Sequence, residues 1–200
     1  ARYWLHNGML TMGEQKMSKA LGNFVTIREL LERYPGEVLR YALLRGHYRS
    51  ALAWGDALLD EARSALDRLY RALRSVEEDS GPLDPVAPDA PLPEAVEGAL
   101  CDDLNTPEAL AALHELAGAV NRSEDGPERR RLAAALRAGG EVLGLLGEAP
   151  DTWFARDAAD APDEATIRAL VDERARAKRD RDYARADAIR DELAAQGVQL

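Results

Sequence analysis

The feature that most narrows the possible folds is a stripe of apolar residues, Leu58, Ala62, Ala65, Leu69, Leu73 and Val76, at spacings of four and three behind Asp56, which is placed to cap their helix. Spacing of that kind is helical, not strand-like. A stripe this long must be covered along its run, so other amphipathic helices have to pack on it, and a helical bundle is expected. The chain supplies them. Thr26 and Glu29 form a capping box ahead of an apolar face of Ile27, Leu30 and Leu31, closed by Tyr34-Pro35-Gly36. A second helix, Glu37 to Arg45, carries Val38, Tyr41, Ala42 and Leu44 and ends at Gly46. Helical pattern resumes near Glu94 and breaks at Asp102-Asp103-Leu104-Asn105. It restarts with Thr106 as N-cap and Pro107 at the first helical position, followed by a stripe of Leu110, Leu113, Ala117 and Val120. A further helix from about Pro127 to Leu146 turns Leu132, Leu136, Val142, Leu143 and Leu146 inward, with Gly139-Gly140 as a kink or a point of close approach.

Less regular stretches separate these helices. Ala1 to Asn23 reads as strand or turn leading into a loop, Asp79 to Pro93 as a proline-rich linker, and Gly147 to Pro162 as a second linker. Asp163 is a candidate cap for a helix with Ile167, Leu170 and Val171 inward, leading into the charged run Arg174 to Asp182. A last helix, Tyr183 to Ala195, repeats the pattern with Ala186, Ile189 and Leu193 and stops at Gly197. No methionine opens the chain, and Val198-Gln199-Leu200 reads as the start of a strand, so a piece of a longer protein is expected.

Composition removes whole classes of function. No run of about 18 apolar residues occurs, so no membrane-spanning helix is expected. Cys101 is alone, which excludes an internal disulfide framework and a cysteine-cluster zinc site and suits a cytoplasmic setting. The net charge of −10 comes from the middle of the chain, since residues 81–162 hold 16 acidic against 6 basic residues. Residues 1–50 hold 8 basic against 4 acidic ones, so the opening segment can meet phosphates although the whole is acidic.

Only three of the 26 basic residues are lysines, and two of them, Lys16 and Lys19, lie within four positions of each other. Ammonium and guanidinium groups are not interchangeable. Two ammonium groups on a short loop can follow a phosphate chain as charge shifts during nucleotidyl transfer, stabilising the transition state more than the bound nucleotide. Gly13 and Gly22 bracket that loop as hinges, Ser18 adds a hydroxyl, and Met17 packs under the loop or near a base.

Lys16-Met17-Ser18-Lys19-Ala20 resembles the KMSKS signature of class I aminoacyl-tRNA synthetases. Five ordered stretches, Tyr3 to Gly8, Lys16 to Ile27, Glu37 to Tyr41, Gly46 to Ser50 and Asp103 to Leu110, together resemble the cysteinyl-tRNA synthetase family, as does the tail from Arg174 to Gly197. The resemblance runs along nearly the whole chain and matches the C-terminal portion of that family. It implies a mainly α fold: residues 1–50 as the end of a class I catalytic domain with the signature loop, 51–160 as a DALR-like tRNA-binding helical bundle, and 163–200 as part of a small helical anticodon-region domain. The implied activity is ligation of cysteine to its tRNA through a cysteinyl-adenylate, with magnesium-bound ATP, cysteine and the cysteine tRNA as partners of a monomer. Lys19 maps to the ATP-contacting lysine and Lys16 to the other mobile cation, with Met17 and Ser18 beside them at the nucleotide. Ala20 stands where the family has serine, which removes one hydroxyl and leaves both cations. The family's HIGH signature and zinc site fall outside these residues, so the chain alone is expected neither to activate cysteine nor to hold zinc.

Other residues carry weaker expectations. His6, His47 and His114 are too scattered for a ligand set, and Cys101 reads as a small core residue. Asp102 and Asp103 suggest a cap or turn, and His47 with Arg49 could support the loop or the tRNA acceptor arm. Arg174, Arg176, Lys178 and Arg179 are either a solvated helix face, with pairs such as Asp172 and Arg176, or phosphate contacts to tRNA. Trp153, Phe154 and Tyr183 are candidate stacking platforms for anticodon bases. Two alternatives stand beside the synthetase: the related ligase that joins cysteine to an amino-sugar inositol in mycothiol synthesis, and a non-catalytic helical module binding tRNA or protein.

Overall fold

The computed structural model describes residues 2–12, 15–18, 22, 24–87, 89–160, 164–179, 182 and 185–190. The elements run β1 (Leu10–Met12), β2 (Gln15–Lys16), α1 (Ile27–Leu31), α2 (Gly36–Leu44), β3 (Leu52–Trp54), α3 (Asp56–Ser80), α4 (Glu94–Cys101), α5 (Thr106–Arg122), α6 (Gly126–Val142), α7 (Pro150–Asp160) and α8 (Glu164–Arg179). The chain is mainly helical, as expected. Two units are distinguished, Ala1–Pro150 and Asp151–Leu200.

In the first unit, α3 is the axis on which α2, α5 and α6 pack, and α5 also packs on α4 and α6. Its buried surface is broader than the expected stripe, because Leu59, Leu66, Tyr70 and Ala72 join Ala62, Ala65, Leu69, Leu73 and Val76. Helices on more than one side require that width, and Leu58 is left half-buried. Asp56 is the first helical residue and not the cap: Gly55 holds the N-cap without a side-chain bond, and Asp56 instead pairs with Arg33 at 3.1 Å. The capping box of α1 forms, with the Thr26 amide donating to Glu29 at 2.7 Å and the Glu29 amide to the Thr26 hydroxyl at 3.2 Å. Only Leu30 of its apolar face is buried, whereas Ile27 and Leu31 stay exposed.

At the start of α5 the cap is Asn105, whose side chain accepts from the Glu108 amide at 3.3 Å. Thr106 is inside the helix and donates its hydroxyl to the Leu44 carbonyl at 2.8 Å, tying α5 to the end of α2. The glycine pair in α6 is a close approach. A Cβ on Gly139 would stand 2.9 Å from a Leu113 methyl, and one on Gly140 2.7 Å from a Leu146 methyl. The helix ends at Val142, which is exposed against expectation, and Gly144 (φ +68°) and Leu146 (φ +59°) fold Leu145 and Leu146 back into the core.

The linker after α3 is held down by α6. Arg130 donates to the Ser80, Gly81 and Pro82 carbonyls and Arg137 to that of Leu83, so arginines satisfy backbone acceptors that the α3 terminus leaves open. The expected second linker is corrected: residues 150–160 form α7, and Trp153 is fully buried, so it is no platform for bases. In the second unit α8 covers most of the charged run, a helical stretch covers residues 185–190, and Ala177, Ala186 and Ile189 are buried. The cap and platform readings for Asp163 and Tyr183 fall on residues outside those described.

Candidate functional site

The Lys16-Met17-Ser18 run leaves a three-stranded sheet of order β2-β1-β3. Antiparallel pairing sets Thr11 against Lys16 and Met12 against Gln15, and the Met17 amide donates to the Leu10 carbonyl at 3.1 Å. On its other edge β1 pairs in parallel with β3, Leu10 opposite Leu52 and Met12 opposite Trp54. The loop is therefore carried by a hairpin whose first strand, β1, is paired on both edges, with β2 at the edge of the sheet. The strand β3 is three residues long, too short for alternation to announce it in the sequence.

Met17 and Ser18 are half-buried. Met17 lines an open apolar cleft of about 590 Å³ with Leu10, Val25, Leu30, Leu39 and Trp54, so its thioether supports the loop from beneath. Gly22 sits at φ +65°, a conformation that favours glycine, on the far side of the loop. Lys19, Ala20, Gly13 and the side chain of Lys16 lie outside what is described.

Two further clusters lie in this unit; the sequence offers His47 and Arg49 of the first as a support for the loop but not their meeting with Asp103, and it offers nothing of the second. In the first, Asp103 gathers the turn before β3. It accepts from the Tyr48 hydroxyl at 2.7 Å and the Arg49 guanidinium at 3.1 Å, and His47 Nε2 stands 3.8 Å away. Arg49 also donates to the Tyr48 hydroxyl at 2.8 Å, and that bond, ahead of Asp103, raises its pKa. Arg49, expected at tRNA, is thus engaged with the protein while remaining largely exposed. In the second cluster, Glu37 of α2 accepts from the Tyr70 hydroxyl at 3.0 Å and from the amides of Leu146 and Gly147 at 3.2 and 3.1 Å. Burial, then the Glu37 charge, pushes the Tyr70 phenol up, so it stays a donor. Nearby, the Tyr41 hydroxyl and His114 Nε2 are 2.8 Å apart, and burial, then Arg68, pushes the imidazole pKa down.

Among the four basic residues singled out on α8, Lys178 and Arg179 are exposed in the last turn. Arg176 is exposed and bonds to the Asp172 backbone carbonyl at 3.4 Å, in place of the expected carboxylate pair, while Arg174 is half-buried. Cys101 is exposed at the end of α4, against expectation. Among the described residues no three His, Cys, Asp or Glu side chains come together in a way that fits a metal ion, and no helix is long and apolar enough to cross a membrane.

Residues 1–64 match the family model for the class I tRNA synthetase (C) catalytic domain, and residues 95–147 match the DALR domain model. The chain is 50% identical over 200 residues to a cysteine–tRNA ligase of Xanthomonas campestris pv. campestris, covering all of this chain and 42% of the relative. It is 47% identical to one from Paramagnetospirillum magneticum and 48% identical to one from Gluconobacter oxydans, covering all of this chain and 43% and 40% of those relatives. The chain thus spans about two fifths of the length of the curated relatives it matches. Identity near one half along all 200 residues, with catalytic and DALR models matched in order, makes the chain similar along its whole length to part of the cysteine–tRNA ligases.

Proposed function

We propose that these residues are the C-terminal portion of a cysteine–tRNA ligase, contributing the nucleotide loop and helices that hold the cysteine tRNA. The observation that carries the reading is the exit of Lys16-Met17-Ser18 from a hairpin whose first strand, β1, is paired on both edges, with Met17 seated over an apolar cleft. In the first half-reaction the cysteine carboxylate attacks the α-phosphate of magnesium-bound ATP and pyrophosphate leaves. Lys19, with Lys16, meets the charge that builds on the departing oxygens, and Ser18 adds a hydroxyl donor. The terminal ribose hydroxyl of the tRNA then attacks the carbonyl carbon of the adenylate, forming the ester as the anhydride bond breaks and AMP leaves. Arg174, Arg176, Lys178 and Arg179 provide phosphate contacts that position the tRNA without reading its sequence, and Arg49 is a further candidate. The protein acts as a monomer in the cytoplasm. Zinc selects the substrate thiol in this family; no group among the described residues fits it, so no step runs through a metal held by these residues. Relatives named as cysteine–tRNA ligases along the whole chain support this reading over the mycothiol-pathway ligase and over a non-catalytic helical module.

Two outcomes follow. The chain is expected to bind the cysteine tRNA transcript more tightly than other tRNAs, with affinity falling by about tenfold or more between 50 and 200 mM salt as arginine–phosphate contacts release counterions. Titration of several transcripts across a salt series measures this, and absence of tRNA binding would overturn it. The isolated chain is also expected to show no cysteine-dependent ATP–pyrophosphate exchange, and exchange above a no-enzyme blank would refute that.

A further inference from the structure

We infer that Asp103 is a positioning residue for the lysine loop, acting from the DALR-matched helices through the turn at residues 46–50; the inference rests on the ligase reading above. The path is short and each link is a bond. Asp103 lies in the turn between α4 and α5, where it and Leu104 both sit at φ +54°, a conformation that costs non-glycine residues energy and persists only where neighbours over-determine it. The turn is fixed by the Leu104 amide donating to the Leu100 carbonyl at 3.2 Å and the Asn105 amide to that of Ala99 at 3.0 Å. Strain held this firmly aims one carboxylate at Tyr48 and Arg49, with His47 beside them.

The same turn is bonded to the strand that carries the loop. The Gly8 amide donates to the Tyr48 carbonyl at 2.6 Å, and the Leu52 amide donates to the Met9 carbonyl at 3.0 Å. The contact is so close that a Cβ on Gly8 would stand 1.9 Å from the Ser50 carbonyl oxygen. Strand β1 then passes the constraint to Met17 through the Leu10 carbonyl. The Asp103 carboxylate thereby connects a helix turn far along the sequence to the residue two positions before Lys19, and its loss leaves the 46–50 turn, hence β1, free to shift.

The test uses the whole ligase that contains these residues, with Asp103→Gly and Asp103→Asn. Glycine accepts the left-handed backbone, so Asp103→Gly removes the carboxylate without adding strain, and asparagine tolerates the same conformation while keeping an acceptor oxygen. In Asp103→Gly, amide hydrogen exchange at Gly8, Met17 and Leu52 is expected to rise about tenfold, with Leu69 and Leu73 of α3 unchanged. The kcat of ATP–pyrophosphate exchange should fall about tenfold at unchanged KM for cysteine, and Asp103→Asn should recover much of both effects. Exchange changes confined to residues 47–49 and 102–105 would overturn the inference, as would faster hairpin exchange with unaltered kcat. Lys19→Gln in the same ligase separates the two ideas. If it leaves kcat unchanged, the ligase reading of the loop fails, and the hydrogen-exchange pattern alone decides whether Asp103 holds the hairpin.

Discussion

Replacing Lys19 by alanine in the whole ligase is expected to slow cysteine-dependent ATP–pyrophosphate exchange by about two to three orders of magnitude, with little change in the unfolding midpoint. The size follows from what one preorganised charge contributes where negative charge builds in a transition state, about 3–4 kcal/mol when it is removed. The charge must already be aimed, because a group that reorganises during reaction returns most of that energy as ordering cost. The base of the loop meets this condition: Lys16 is laddered to Thr11, and the Met17 amide bonds to Leu10, two residues before Lys19. Loss of stability should stay small, since lysine is rarely a core residue and substitutions outside the core shift stability by about 0.5 kcal/mol or less. Arginine should restore only part of the rate, because a planar fork cannot occupy the position of a compact ammonium. Pre-steady-state adenylate formation measures the effect directly, and an unchanged rate would refute the role given to Lys19.

Features governed by neighbours along the chain are legible in the residues themselves. The capping box at Thr26 and Glu29, the helix ends near Gly46 and Asp102, and the buried stripe Leu110, Leu113, Ala117 and Val120 each follow from residues within a turn or two. The misreadings share a physical cause, which is that one residue type serves two ends. Pro150 reads as part of a breaker, yet proline at the first helical position starts a helix, and α7 begins there with Trp153 buried. Asp56 has the chemistry of a cap, but Arg33, 23 positions earlier, takes its carboxylate. Of the candidate site, the lysine loop is legible because its chemistry lies in five adjacent residues. Its supports are not: Tyr48 and Arg49 meet Asp103 across more than 50 positions, and Glu37 meets Leu146 across 109. The stretches that carry the family resemblance, Glu37 to Tyr41, Gly46 to Ser50 and Asp103 to Leu110, thus include the residues that bind the sheet end of the molecule to its helices.

Glu37→Ala is expected to destabilise the protein by about 3 kcal/mol, lowering the unfolding midpoint by roughly 10 °C. The carboxylate accepts three bonds, from the Tyr70 hydroxyl and the amides of Leu146 and Gly147. Tyr70 and Leu146 are buried, so two donors lose their acceptor where water cannot replace it, at about 1–3 kcal/mol each, while the Gly147 amide is exposed and rehydrates. A second cost arises in the backbone, because Leu146 at φ +59° is a β-carbon residue in the left-handed region and the Glu37 bond to its amide helps to hold it there. Glutamine should cost about half as much, since it keeps one acceptor oxygen but turns an amine toward groups that donate. Tyr70→Phe alone should cost about 1–2 kcal/mol, and in that background Glu37→Ala should cost about 1 kcal/mol less than in the parent, because the two side chains share a bond. Denaturant titrations of the four proteins of this cycle give the coupling. If Glu37→Ala shifts stability by less than about 1 kcal/mol, the carboxylate does not hold the 143–148 turn. A full effect with no coupling would assign the cost to the backbone amides and not to Tyr70. Either way α2 is the element at stake: Glu37 faces the helical bundle, while Leu39, Arg40 and Leu43 on the same helix line the cleft under Met17. A protein that loses this carboxylate should therefore lose order at the lysine loop as well as stability, and loop exchange should rise in Glu37→Ala below its unfolding transition.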